Sequence, residues 1–270
     1  MSIRLPLSAA GLLVATMLVS AAAQSPAPPQ SPAPAAAPTC PELATALNRV
    51  VINDARLRDW ALLNRYRDAN RTLAPAGPAA RVVFMGDSIT DAWQQARYGG
   101  FFPGKPYVDR GISGQTTPQM LIRFKPDVIA LEPKAVVILA GTNDLNSNTG
   151  PATDEEIEQN LASMSELAHA HKIRVVLASI TPVSEYHVRE GLIPQTTARP
   201  MSRIKTINDW MKSFAASHGD VYLDYFSAMT DAKGLLRTEL SEDDLHPNAA
   251  GYAIMGPLAE AAIQKALARR

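Results

Sequence analysis

The sequence predicts an α/β protein, a five-stranded parallel sheet covered by helices on both faces in a three-layer α/β/α sandwich. Two observations carry this. A short apolar run of the kind a doubly buried strand requires stands at 82–85, and further strands are expected at 107–112, 135–140, 173–180 and 221–224. Between most of them lie segments with helical periodicity, and strands that alternate with helices give a parallel sheet sheathed on both sides. The chain has 270 residues, 46% of them hydrophobic, enough to fill one core of ordinary size, and no internal repeat is evident.

Residues 1–23 read as a secretory signal peptide. Arg4 supplies the positive region, Leu5 to Val19 the apolar core, and Ala21-Ala22-Ala23 the small-residue cleavage site. Pro6, Ser8, Gly11 and Thr16 interrupt the stretch, which falls short of the ~20 residues of a typical membrane span. Residues 24–41 are almost entirely Ala, Pro, Ser and Gln, a composition that cannot bury a core and gives a disordered linker. Cys40 is the only cysteine, so no intramolecular disulfide forms, and Ala37-Pro38-Thr39 before it does not fit a lipid-attachment context. Export to the periplasm or medium is the expectation.

Residues 42–80 form an expected helical extension. Leu43, Leu47, Val50, Leu57 and Ala61 fall at helical spacings within Glu42 to Arg71, and Pro75, Gly77 and Pro78 then break the helix. The catalytic domain is expected over 81–270. Val82, Val83, Phe84 and Met85 make the first strand, Gly86 and Asp87 turn the chain, and Ser88 follows where a helix could begin. Its hydroxyl would then sit at a strand's carboxyl end, where ligands bind in open parallel sheets, although Ser there also suits a helix N-cap. Ala92 to Pro106 is rich in aromatics; Trp93, Phe101 and Phe102 either line a pocket beside Ser88 or pack in the core. Helices are expected over Thr117–Leu131 with Pro118 in the first turn, from Asp154 to about Lys172, over Pro200–His218, and over Asn248–Ala268.

A serine hydroxyl is a poor nucleophile until a base takes its proton and donors hold the resulting oxyanion. Three stretches downstream offer such partners in order: Arg110 to Thr117, with Gly114; Ala140 to Asp144, with Asn143; and Asp243 to Asn248, with His246. With these four blocks the chain, from about Arg81 to its end, resembles the SGNH hydrolases, also called GDSL esterases/lipases. The resemblance implies a flavodoxin-like strand order and a triad of Ser88, Asp243 and His246. It also implies an oxyanion hole of the Ser88 N–H, the Gly114 N–H and the Asn143 amide. Asp244 competes with Asp243 for the imidazole, and Asp144 is expected to hold the Asn143 loop. Ile89 stands where the family's alternative name expects Leu. Thr90 occupies the second glycine position of a G-x-S-x-G elbow, which argues against the α/β-hydrolase fold.

Four other histidines compete with His246. His169 and His171 are two residues apart on a helix and face different directions, which disfavours a metal site, and His218 suits a helix end. His187 is the rival, in a long connection, 183–199, that could overhang the site; Tyr186 and His187 are candidate substrate contacts. Lys plus Arg and Asp plus Glu number 26 each, so no global field favours nucleic acid or an anionic membrane. The expectation is a serine esterase without metal or organic cofactor, acting on a small-molecule or glycan ester, with short acyl groups such as acetyl on carbohydrate favoured. Lysophospholipase or thioesterase action on lipid acyl esters is the alternative. A non-catalytic carbohydrate-binding protein on the same fold is the alternative of another class.

Overall fold

The computed structural model describes residues 59–75 and 80–269, together with Thr39, Pro41 and scattered positions from 44 to 58. The expected signal peptide, nearly all of the expected linker, and Cys40 lie outside the described residues. Strands β1 (Val82–Gly86), β2 (Tyr107–Gly111), β3 (Ala135–Leu139), β4 (Arg174–Ala178) and β5 (Val221–Leu223) form one sheet, each within two residues of its expected span. The order is β2-β1-β3-β4-β5 and every neighbouring pair is parallel. Gly86 pairs with Gly111 on one side and Leu139 on the other, so β1, β2 and β3 end level. The strand order reverses across β1 and β3, which is where ligands bind in such sheets.

Side-chain alternation sorts the apolar runs into two cores. Val83, Met85, Val136, Ile138, Val175 and Leu177 face Met120, Phe124, Ile157, Leu161, Ile207 and Met211 on three helices, Thr117–Asp127, Asp154–Ala170 and Met201–His218. Val82, Phe84, Val137, Leu139, Val176 and Leu223 face Ile89, Trp93, Tyr252, Met255 and Ile263 on the other side, under the helix Ala249–Ala268. Thr153 starts the 154–170 helix by a reciprocal cap, its hydroxyl accepting from the Glu156 N–H at 3.1 Å while its own N–H donates to Glu156 at 2.8 Å. The expected helix to Leu131 stops at Asp127. Pro126, which lacks an N–H, sits in its last turn, and a short 3₁₀ turn covers Ile129–Leu131.

The expected continuous helix from Glu42 to Arg71 is interrupted. Asp59 accepts the backbone N–H groups of Leu63 (2.7 Å) and Asn64 (2.9 Å), a side-chain alternative to helical bonding. Leu62 takes a left-handed conformation with φ 54°, and a helix resumes only at Arg67–Thr72. The turn buries Ala61 and Tyr66. It is tied to the carboxyl end of the sheet: the Tyr66 hydroxyl donates to the Gly111 carbonyl, Gln115 Nε2 to the Ala61 carbonyl (2.8 Å) and Gln119 Nε2 to the Trp60 carbonyl (2.6 Å).

Candidate active site

At the end of β1 the capping role falls to Asp87, whose Oδ1 accepts the Ile89 N–H at 2.9 Å. Ser88 is therefore the first helical residue of Ser88–Ala92, a position whose N–H has no intrahelical partner. The turn is tight enough that a Cβ on Gly86 would lie 2.0 Å from Thr90 Oγ1. Burial pushes the Asp87 carboxyl up to about 6, although the Ile89 N–H, His246 and Arg199 pull the other way.

Ser88 Oγ lies 3.0 Å from His246 Nε2, and His246 Nδ1 lies 2.6 Å from Asp243 Oδ2. With the Nδ1 proton directed to Asp243, Nε2 is left to accept from the serine. The loop is closed by a bridge between Ser241 and Pro247, and Asp243 Oδ1 accepts the N–H groups of Leu245 (3.1 Å) and His246 (2.7 Å). Partial burial works to raise the Asp243 pKa. The hydrogen bonds and charge of His246 outweigh it and hold the carboxyl well below the usual carboxylate range. Asn248 then caps the last helix, its Oδ1 accepting from Ala250 (3.0 Å) and Gly251 (3.2 Å).

Asp244 adopts φ 67° and is committed elsewhere. It accepts from Ser184 Oγ (2.6 Å) and from the N–H groups of Tyr186 (3.0 Å) and His187 (2.8 Å), and pairs with His187 Nδ1 at 3.1 Å. His187 thus meets Asp244, not Ser88. The other histidines lie away from the serine: His169 pairs with Asp220 at 2.6 Å and His218 stacks on Phe214.

Gly114, after β2, has φ 80°, a conformation glycine adopts without strain, and its carbonyl is held by Asn148 Nδ2 at 3.0 Å. Asn143, after β3, is buried and donates one amide proton to the Gln115 carbonyl at 3.0 Å, which leaves its second amide proton for a ligand. Asp144 receives the N–H (3.0 Å) and hydroxyl (2.6 Å) of Thr117, joining the Asn143 turn to the start of the 117–127 helix. Arg199 Nε donates to the Thr142 carbonyl at 3.0 Å from the opposite side. A serine hydrogen-bonded to an imidazole–carboxylate pair can run acyl transfer, the imidazole taking the serine proton for attack and returning it to the leaving group.

The cleft over Ser88 has a volume of about 580 Å³ and is lined by Arg97, Tyr98, Ser113, Arg189, Asp243 and His246 among others. Trp93, Phe101 and Phe102 do not line it, a correction to the expected pocket. Their rings cluster with Phe84 under the sheet at centroid distances of 5.0 to 6.2 Å, because the apolar face of β1 must be covered. Tyr186 is likewise turned away, donating its hydroxyl to Asp231 at 2.5 Å. His187 lines a neighbouring cavity of about 220 Å³ with Leu192, Ile193 and Asp243. A larger cavity, about 710 Å³, lies beside Arg174 and Asp220 at the amino ends of β4 and β5, at the opposite end of the sheet. Among the described residues no group of three or more His, Cys, Asp or Glu is placed to hold a metal ion. Sequence reasoning missed Arg97, Arg189 and Gln115. Gln115 lies inside the Gly114 block, and that adjacency was the available signal.

Residues 84–254 match the model of the GDSL-like lipase/acylhydrolase family. A GDSL-like lipase of Bacteroides thetaiotaomicron, known from its crystal structure, is 39% identical with a TM-score of 0.69; the match covers 76% of this chain and 98% of that one. The acetylxylan esterase of Geobacillus stearothermophilus is 25% identical over 206 residues, 66% of this chain and 91% of its own. The uncharacterized lipoprotein YqeF of Bacillus subtilis is 32% identical over 81 residues, 29% of this chain, and the match spans only 33% of that protein's length. With the strand order, the four blocks and this match, the chain belongs to the GDSL-like lipase/acylhydrolase family, the SGNH hydrolases, and is a hydrolase of ester bonds.

Proposed function

We propose that the protein is an exported serine esterase that removes short acyl groups, acetyl above all, from carbohydrate. The observation that carries the chemistry is the relay from Ser88 Oγ to His246 Nε2 (3.0 Å) and from His246 Nδ1 to Asp243 (2.6 Å). In this reading His246 takes the Ser88 proton as Oγ attacks the ester carbonyl. The Ser88 N–H, the Gly114 N–H and the Asn143 amide hold the tetrahedral oxyanion. His246, now an imidazolium steadied by Asp243, gives its proton to the departing alcohol oxygen. Water, deprotonated by His246, attacks the acyl-enzyme in the second half, and the protonated histidine returns its proton to Ser88. The domain plan of signal peptide at 1–23, linker at 24–41, helical extension at 42–80 and catalytic domain at 81–270 belongs to the same reading. The leader-like residues 1–23 and the lipoprotein among the relatives support export. The acetylxylan esterase among the relatives supports the acetyl-carbohydrate substrate.

One observation favours lipid acyl esters as a second reading. Val188, Leu192 and Ile193 are exposed at 43%, 63% and 71% on the connection beside Asp243, where an acyl chain could lie against them. Comparing kcat/KM on acetyl and decanoyl p-nitrophenyl esters separates the two. The proposal expects acetyl to be preferred at least tenfold; a decanoyl preference replaces it with the lipid reading.

A further inference from the structure

We infer that the site extends into a glycan-binding groove running from Ser88 past Gly114 to Trp60, with the Trp60 ring as the platform on which a sugar of a neutral acetylated oligosaccharide rests. The inference deepens the proposed function and rests on its carbohydrate reading. A cavity of about 470 Å³ opens between Trp60 and Leu62 on one wall and Ser113, Gly114, Asn148 and Thr149 on the other, within the range of small-molecule sites. Ser113 lines this cavity and also the cleft over Ser88, so the two are neighbours across one residue. Trp60 and Thr149 also line a further cavity of about 370 Å³ reaching Gln159 and Asn160. Shared lining residues set the three hollows side by side, with Trp60 common to the second and third.

The chemistry of the walls selects the ligand. Trp60 is 41% exposed, a large aromatic surface left open to solvent. The C–H face of a pyranose is apolar and its edge carries hydroxyls, so it suits an aromatic plane ringed by amides and hydroxyls. Every residue lining the 470 Å³ cavity is uncharged, which gives a phosphate or ammonium headgroup no partner. The platform is also held firmly. The Trp60 carbonyl accepts from Gln119, and the next carbonyl, Ala61, accepts from Gln115, whose own carbonyl receives the Asn143 amide. Gln115 thereby links the backbone next to Trp60 to the Asn143 amide.

The test uses the full chain with p-nitrophenyl acetate and with acetylated xylose, xylobiose and xylotetraose, comparing wild type, Trp60→Phe and Trp60→Ala. Wild-type kcat/KM is expected to rise with sugar number. Trp60→Ala should abolish the rise, losing about tenfold on the tetraose, equivalent to about 1.4 kcal/mol, while its p-nitrophenyl acetate turnover stays within about twofold; Trp60→Phe should keep most of the rise. Because the hydrogen bonds of residue 60 come from its backbone, both variants should fold, and their melting temperatures check it. An unchanged length dependence in Trp60→Ala, or an equal loss on both ester types, overturns the groove while leaving the esterase reading intact. If wild type hydrolyses p-nitrophenyl acetate but no acetylated sugar, the carbohydrate reading itself has failed. Calorimetric titration of Ser88→Ala with unacetylated xylotetraose then decides the groove separately: Trp60-dependent binding supports it and absence of binding overturns it.

Discussion

Replacing Asp243 with Asn tests how the imidazole is used. In the native arrangement the carboxylate lies 2.6 Å from His246 Nδ1 and also accepts two backbone N–H groups and the Ser241 hydroxyl, so its geometry is held by four donors. Asn keeps the shape and removes the charge, and with its oxygen held by the backbone N–H groups its NH2 faces His246 Nδ1 and favours the tautomer protonated on Nε2, which cannot accept from Ser88. A carboxylate and an imidazolium with charge centres ~4 Å apart attract by ~4 kcal/mol at an effective dielectric of 20 and by ~1 kcal/mol in bulk water. The Asp243 side chain is 54% exposed, which places the lost transition-state stabilisation between those limits. At ~1.4 kcal/mol per decade the lost charge alone should lower kcat on p-nitrophenyl acetate by about tenfold to 10³-fold, and the wrong tautomer carries the loss toward about 10⁴-fold, with KM little changed. Asp244→Asn is the control. Its carboxylate contacts Ser184, Tyr186 and His187, so it should lower the melting temperature while changing kcat by less than about threefold. Steady-state kinetics with circular-dichroism melts on both variants would refute the reasoning if Asp244→Asn were the inactive one, or if Asp243→Asn kept wild-type kcat.

Asn143→Ala removes the proposed oxyanion donor and should cost ~10²–10³ in kcat with KM nearly unchanged; a loss below fivefold in a folded variant would remove Asn143 from the hole. Asp87→Asn tests the buried carboxyl through stability. Its folded pKa, about 6, lies above the ordinary value of 3.8, so the unfolded chain releases that proton first. Wild type should therefore lose more stability than the variant as pH rises from about 4 through 6, by on the order of 3 kcal/mol in full, because Asn, which still offers an oxygen to the Ile89 N–H, has no proton to release; Asp109, raised to about 7 by burial, adds the same loss to both. Urea midpoints at pH 4 and pH 8 read the difference, and parallel curves for the two proteins would contradict it.

The sheet was legible because its central strands are short apolar runs buried on both faces, as at Val82–Gly86 and Ala135–Leu139, and that demand is local in sequence. The helices with strong caps, such as the one Thr153 starts, were legible for the same reason. The break at residues 59–66 was not. Leu57 and Ala61 keep helical spacing through it, and the turn is decided by the Asp59 side chain and by bonds to Gln115 and Gln119 more than fifty residues away. The aromatics after Ser88 misled for a related reason: Trp93, Phe101 and Phe102 are near the serine in sequence, but the underside of β1 claims them. The choice between Asp243 and Asp244 followed from the family resemblance. Its physical basis, a left-handed backbone at Asp244 that sends adjacent carboxylates to different partners, is visible only in three dimensions. Trp60 was read as part of a helix and so escaped notice as a wall of the cavity beside Gly114.

The most direct test of the account is the serine itself: hydrolysis of p-nitrophenyl acetate and labelling by a fluorophosphonate probe, measured on wild type and Ser88→Ala side by side. The relay to His246 predicts that wild type turns over and is labelled at Ser88, and that both signals vanish in the folded variant. Turnover retained by Ser88→Ala, or a label on another residue, would contradict it.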